Sequence, residues 1–420
     1  MAGEIRAGCR AKPQARAIVP HDQWDFDTLI ASADKQTKLS KKVSQQRAVF
    51  RLFSLGVVTA RDSWVYDFDK KSLERKISTL IQAYNADMKK WSALKKREKR
   101  IDDLDASIKW TRAVKNDLQN GIEYKFDSGH IIQAAYRPFV KANLYFEKHL
   151  NEMQYQLGSM FLGEPNPTIA FLCVDSSNPL AALAVNQQFD YCLLKMGNGG
   201  TQSLPRWRYD GEGERQDNIT DWSLEQFRAR YEPGKKPKRP ITKDAIFYYV
   251  YGVLHDPVYR EKYALNLKRD FPRIPFYEDF WRWAEWGETL MALHIGYESV
   301  EPWPLERIDT KDEKSSKAGL APKAMLKADK DTGNIQLDSE TQLTGVPPEA
   351  WTYRLGNRSA LEWILDQYKE KTPKDPTIRD KFNTYRFADH KEKVIDLLKR
   401  VTRVSVETME IVEAMARDKY

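Results

Sequence analysis

The residues of this chain best suited to chemistry are clustered cations set among aromatics. Pro205-Arg206-Trp207-Arg208-Tyr209 interleaves two arginines with two aromatic rings. An arginine fork can take the O6 and N7 of one guanine together, so Arg206 and Arg208 are expected to read bases. Trp207 is expected to touch a base or the backbone beside them. Lys235-Lys236-Pro237-Lys238-Arg239 holds no acid. Lys235, Lys236, Lys238 and Arg239 therefore suit phosphates, which position a nucleic acid without specifying its sequence. Residues 266–276 bring together Lys268, Arg269 and Arg273, with Pro272 and Pro275 fixing the turn, and at least one of these cations is expected to meet phosphate. The bland alternative for any such cluster is a solvated face.

Catalytic patterns are missing from the sequence. It contains no GxxxxGK[ST] loop, no GxGxxG after a strand, no HExxH, no GxSxG and no Asn-Pro-Pro-Tyr box. Met196-Gly197-Asn198-Gly199-Gly200 reads as a tight turn, because no Lys-Ser/Thr follows it. The six histidines share no metal-ligand spacing; His255 is expected to cap or bond within a helix corner, and His294 to be a core residue. The acid pairs Asp25/Asp27 and Asp102/Asp103 lack the surroundings of a nuclease site. Cys9, Cys173 and Cys192 form no CxxC pair and read as reduced thiols.

The elements that must position these groups show in the periodicity. Leu73, Ile77, Leu80, Ile81 and Tyr84 recur at the helical spacing, with Ser72 as the expected N-cap, and a second helix is expected to carry Leu104, Ile108, Val114 and Leu118 up to Asn120-Gly121. Between Lys89 and Lys115 ten Lys and Arg face four acids, on or between these helices. From 122 to 210 the texture turns to short β-branched and aromatic runs: His130–Tyr136, Leu144–Phe146, Thr168–Val174 and Tyr191–Met196. Residues 244–297 return to helix. Residues 309–323 are linker-like, and 325–338 read as a hairpin about Lys330-Asp331-Thr332-Gly333. Helices are expected over Ala360–Tyr368 and Lys391–Val401, and then one capped by Ser405. Ala17-Ile18-Val19 is strand-like.

With 420 residues, 41% hydrophobic and 30% charged, and a net charge of +8, the chain is expected to be a cytoplasmic globular protein of two or three units. No apolar run approaches the ~20 residues needed to span a bilayer. The N-terminus lacks the h-region of a secretory signal. No membrane partner is expected.

Four segments carry a resemblance. They are Gly56-Val57-Val58-Thr59-Ala60-Arg61-Asp62-Ser63-Trp64; Tyr136-Arg137-Pro138-Phe139 with Leu144-Tyr145-Phe146; Ile246 through His255 and on to Phe276; and Gly356-Asn357-Arg358-Ser359 through Ile364 with Ser405-Val406-Glu407-Thr408. In order and spacing these resemble the C-terminal part of type ISP restriction-modification enzymes over roughly residues 50–415. The resemblance implies a specificity region that binds double-stranded DNA and directs adenine-N6 methylation and cleavage done elsewhere. It also implies upstream methyltransferase, helicase-like and nuclease domains, in the same or a separate polypeptide. S-adenosylmethionine, ATP and magnesium are expected only for those domains, with no cofactor, metal or catalytic residue in this chain. Gly56 and Thr59 would shape a turn, Arg61 and Asp62 a local ion pair. Arg137, with Lys141 in the same element, stands between a DNA-backbone contact and an internal salt bridge.

Together these features predict an α+β protein: an N-terminal helical segment followed by a β-containing DNA target-recognition domain with helical additions. Residues 1–50 are expected to be the tail of a methyltransferase-like domain, 51–125 a helical connecting segment and 126–420 the target-recognition domain. The chain would then be a piece of a longer protein or one half of a split system. Two rivals stay open: part of an adenine-specific methyltransferase or nuclease active site completed by a partner chain, and a structural or RNA-binding protein with the same basic patches.

Overall fold

The computed structural model describes residues 21–95, 99–174, 178–194, 199–234, 237–313, 317, 319 and 321–418. The strand-like Ala17-Ile18-Val19 lies outside them, as do Met196, Gly197 and Asn198 of the Met196–Gly200 turn. In chain order, the elements that matter for the site begin with strands β1 (Ile30–Ala33) and β2 (Ala48–Phe50). Helix α1 (Lys70–Ala93) precedes the hairpin of β3 (Ile131–Arg137) and β4 (Val140–Tyr145). Then come β5 (Thr168–Leu172), β6 (Ala181–Val185), β7 (Gln202–Pro205), β8 (Trp207–Tyr209) and β9 (Arg215–Asp217). Helices α2 (Asp221–Tyr231) and α3 (Lys243–Val253) lead to the short strand β10 (Arg273–Ile274) and helix α4 (Phe280–Ile295). Four strands between Glu306 and Thr344 form an antiparallel sheet, and helix α5 (Lys391–Arg417) closes the fold.

The centre is a four-stranded antiparallel sheet in the order Ser54–Leu55, β7, β5, β6. Every residue of β5 and β6 is buried. Because strand side chains alternate, the sheet serves two cores at once. Ile169, Phe171, Ala182 and Ala184 face a core built from residues 26–50 with α2, α3 and α4. Ala170, Leu172, Leu183 and Val185 face the other, built from α1, the β3–β4 hairpin and the C-terminal third. Residues 26–50 belong to the first core through Phe26, Ala33, Val49 and Phe50, and β1 pairs with both β2 and β10. Packing therefore continues across residue 50, where the sequence suggested a boundary.

Helices α3 and α4 approach so closely that a Cβ on Gly287 would lie 1.8 Å from the Tyr248 carbonyl oxygen. That contact requires glycine. Below it lies a polar node. The Ala184 N–H at the edge of β6 donates to the Tyr251 hydroxyl at 2.8 Å. Tyr251 in turn meets His294 Nδ1, while His294 Nε2 bonds Thr408 Oγ1 at 3.0 Å and the Tyr353 hydroxyl at 3.1 Å. One buried imidazole thus ties the central sheet, α3, α4 and α5 together.

Several local expectations change. The N-cap of α1 is Asp69, whose carboxylate accepts the Ser72 N–H. Leu104 and Ile108 precede the helix Arg112–Gln119 instead of lying in it. Tyr191–Leu194 forms a turn in which Leu193 N–H donates to Asp190 O, not a strand. Ser405 is interior to α5, its hydroxyl donating back to Val401 O at 2.7 Å.

Burial pushes the His294 imidazole down to about 3 and the His255 imidazole well below its ordinary 6.5. Both stay neutral in the folded chain while the unfolded chain protonates below pH 6.5. Stability is thus complete above that pH and lost as pH falls, by about 1.4 kcal/mol per pH unit for each histidine. Urea unfolding of the wild type is expected to weaken from pH 7 to pH 5, and His294→Asn to show a shallower slope. Identical slopes would contradict this account of the node.

Candidate nucleic-acid interface

At Pro205 the chain leaves the central sheet and at once makes a two-stranded antiparallel ribbon, β8 with β9, paired Trp207↔Asp217, Arg208↔Gln216 and Tyr209↔Arg215. Three side chains clamp its root. Asn218, fully buried, donates to Leu52 O and Pro205 O and accepts the Leu52 N–H. Asn166 donates to Trp207 O at 2.8 Å and accepts the Trp207 N–H at 3.1 Å. Arg206, only 5% exposed, pairs with Asp217 at 2.8 Å and Asp244 at 2.5 Å and stacks on Trp207 at 3.7 Å. Although burial works against it, hydrogen bonds from Arg206 and Lys243 hold the Asp217 carboxyl below its usual value.

The ribbon's other two arginines have no ion pair among the described residues. Among the described residues Arg208 donates only to Asp217 O and Gln216 Oε1. Burial and the neighbouring Arg51 charge lower its guanidinium pKa. Arg215 is exposed and stacks 4.6 Å from Trp207. At the tip, Asp210 accepts the N–H groups of Glu212 and Glu214 and the Gln216 amide, bonds that keep its carboxyl below the usual range.

The other expected contacts separate into two groups. Arg137 is buried: its Nη1 lies 2.7 Å from Asp190, both side chains being 4% exposed, so the internal salt bridge is what forms. The Gly56–Trp64 and Tyr136–Phe139 motifs meet at this pair. A Cβ on Gly56 would come 2.6 Å from the Asp190 carbonyl, and the Tyr136 hydroxyl donates to Asp62. Arg61 is not paired with Asp62; it is buried and donates to Thr111 Oγ1 at 2.7 Å, while Asp62 accepts the Thr59 hydroxyl. Lys141 is held by Glu298 and lies over Tyr297. Arg273 donates to Asp27 O and Leu29 O, fastening the N-terminal segment. Arg239 is exposed but paired with Glu285 and stacked on Trp281. Lys238, Lys268 and Arg269 are exposed, with no ion pair among the described residues. Lys235 and Lys236 lie outside the described residues. Glu212, Glu214 and Arg215, at the ribbon's tip and return strand, were not among the expected contacts; the available signal was the Asp210-Gly211 turn following the Trp207–Tyr209 run.

Among the described residues no group of three or more His, Cys, Asp or Glu is placed to hold a metal ion, and no helix is long and apolar enough to cross a membrane. The architecture is a mixed α+β scaffold presenting a charged ribbon. The sequence profile of the Type ISP C-terminal specificity domain matches residues 48–397, and the chain belongs to that family. Among solved structures it is similar to DrdV, determined by cryo-EM as a DNA complex, with 47% identity, a TM-score of 0.87 and coverage of 94% of this chain and 39% of that one. It is also similar to a nuclease-deletion mutant of the Type ISP restriction-modification enzyme LlaGI in complex with a DNA substrate mimic, with 28% identity and a TM-score of 0.76 over 93% of this chain and 34% of that one. The ATP-dependent Type ISP restriction-modification enzyme LlaBIII, bound to DNA, shares the fold at 22% identity and a TM-score of 0.74, over 94% of this chain and 24% of that one. The chain thus spans well under half the length of these proteins. A search of curated proteins finds no match.

The geometry makes Arg206 an anchor of the ribbon. Arg206→Ala is expected to cost about 2 kcal/mol of stability in urea unfolding and Arg215→Ala less than about 0.5 kcal/mol; the reverse order would contradict the assignment.

Proposed function

We propose that this chain is the target-recognition module of a restriction-modification enzyme, binding duplex DNA at a specific sequence. In that role it directs adenine-N6 methylation and cleavage carried out by other domains, in the same or a separate polypeptide. S-adenosylmethionine, ATP and magnesium then serve those domains. The observation that carries the reading is the likeness to DrdV over 94% of this chain in a structure that contains DNA. The unneutralised arginines of the ribbon support it, since phosphates and guanine edges both take arginine forks. Of the exposed cations, Lys238, Lys268 and Arg269 join Arg208 as candidate contacts.

Binding should be dominated by counterion release. The affinity of the full chain for duplex DNA, followed by fluorescence anisotropy, is expected to fall about a thousandfold between about 50 and about 200 mM salt if roughly six phosphates are engaged. A flat salt response, or a preference for RNA in competition, would overturn the reading.

A further inference from the structure

The ribbon carries an arrangement that phosphate binding does not explain. Among the described residues it stands as a sheet of its own with no third strand, and residues 210–215 at its tip are all exposed. A two-stranded ribbon is one of the few elements that the DNA major groove, about 12 Å wide, admits. The tip is also preorganised. Asp210 is occupied in bonding the Glu212 and Glu214 N–H groups at 3.0 and 2.9 Å, and Gly213, at φ +85°, supplies the left-handed residue that the turn requires.

What remains unspent there is a mixture of signs. Among the described residues the carboxylates of Glu212 and Glu214 have no hydrogen-bond or ion-pair partner, and Arg208 and Arg215 have no carboxylate within ion-pair distance. Trp207 supports the Arg215 guanidinium, so less rotamer freedom is lost when it binds. Exposed carboxylates beside arginines are a poor fit to phosphates, which only accept hydrogen bonds and repel anions. They suit base edges, where guanine offers the acceptors O6 and N7 while cytosine and adenine offer amino donors.

The ribbon's root is flanked by cations of a different kind. The Arg51 N–H donates to Asn218 O at 2.9 Å, directly after β9, and its guanidinium reaches only Ser40 O. Arg47 lies 5.9 Å from the Trp222 ring and donates to Ser44 O and Gln46 O. Neither has a carboxylate partner among the described residues, and no exposed acid is adjacent to either in sequence.

We propose that the β8–β9 ribbon enters the major groove, with Arg215 and Glu214 as adjacent donor and acceptor to base edges, while Arg47 and Arg51 grip the flanking phosphates. The assignment rests on the duplex-DNA reading above. It divides reading from positioning differently from the sequence: Arg206 is an anchor, and the readers lie on the return strand and tip.

The test selects binding sites for the full chain from a randomised duplex library, then repeats the selection with Glu214→Gln, Arg215→Ala and Arg51→Ala. All three positions are exposed or half-buried, and unfolding midpoints matched to the wild type serve as the folding control. Glu214→Gln and Arg215→Ala are each expected to lose roughly 10- to 100-fold of discrimination at one base pair, the same position or its neighbour. Arg51→Ala is expected to weaken every sequence alike and to reduce the salt slope by about 0.9. Unchanged selection by both ribbon variants, with the wild type still choosing a defined sequence, overturns the inference and leaves the DNA-binding reading standing. Absence of duplex binding by the wild type overturns both.

Discussion

The constraint on which the molecule depends is a sheet with no wet face. Every residue of β5 and β6 is buried, so its backbone groups must be satisfied within the sheet or by a buried side chain. Strand β7 and Ser54–Leu55 do this on one side, and the Tyr251 hydroxyl accepts the Ala184 N–H at the other edge. The two cores grow from opposite faces of this septum. Segments distant in sequence are thereby locked together, and residues 26–50 share a core with α3 and α4.

The ribbon inherits this rigidity. It begins one residue after β7 ends, and Arg206 between them is held by Asp217 and Asp244 while Asn166 and Asn218 bond the adjoining backbone. A binding element on a rigid support loses little order on binding, which is what a sequence reader needs to turn contacts into discrimination. Arg137 and Arg206 are buried and spent on internal ion pairs, whereas Arg208, half-buried, and Arg215, exposed, have no ion pair among the described residues.

Much of the fold was legible in the sequence, and the failures have identifiable causes. Strand β3, the end of β4, β5, the hairpin near Lys330–Gly333 and the helical periodicity of α1 follow from alternation, turn residues and the 3.6 spacing. Strand β6 did not show, because Ala181–Val185 is a short, alanine-rich apolar run with no alternation, the appearance of a strand buried on both faces. Tyr191–Leu194 looks like a strand by composition but is bent by Asp190, which accepts the Cys192 N–H. At the interface, Trp207 and Arg208 were visible as an aromatic–arginine run. Strand β9 was not, because three polar residues become a strand only by pairing with β8, and the burial of Arg206 depends on Asp244, thirty-eight residues away.

The central claim, that the ribbon meets base edges in the major groove, is tested most directly by methylation interference on the duplex sequence that the chain selects. Guanine N7 lies in the major groove and adenine N3 in the minor groove. The account predicts that N7 methylation of at least one guanine abolishes binding by the wild type and that this interference disappears in Arg215→Ala. Binding indifferent to guanine N7 methylation but blocked by adenine N3 methylation would contradict it.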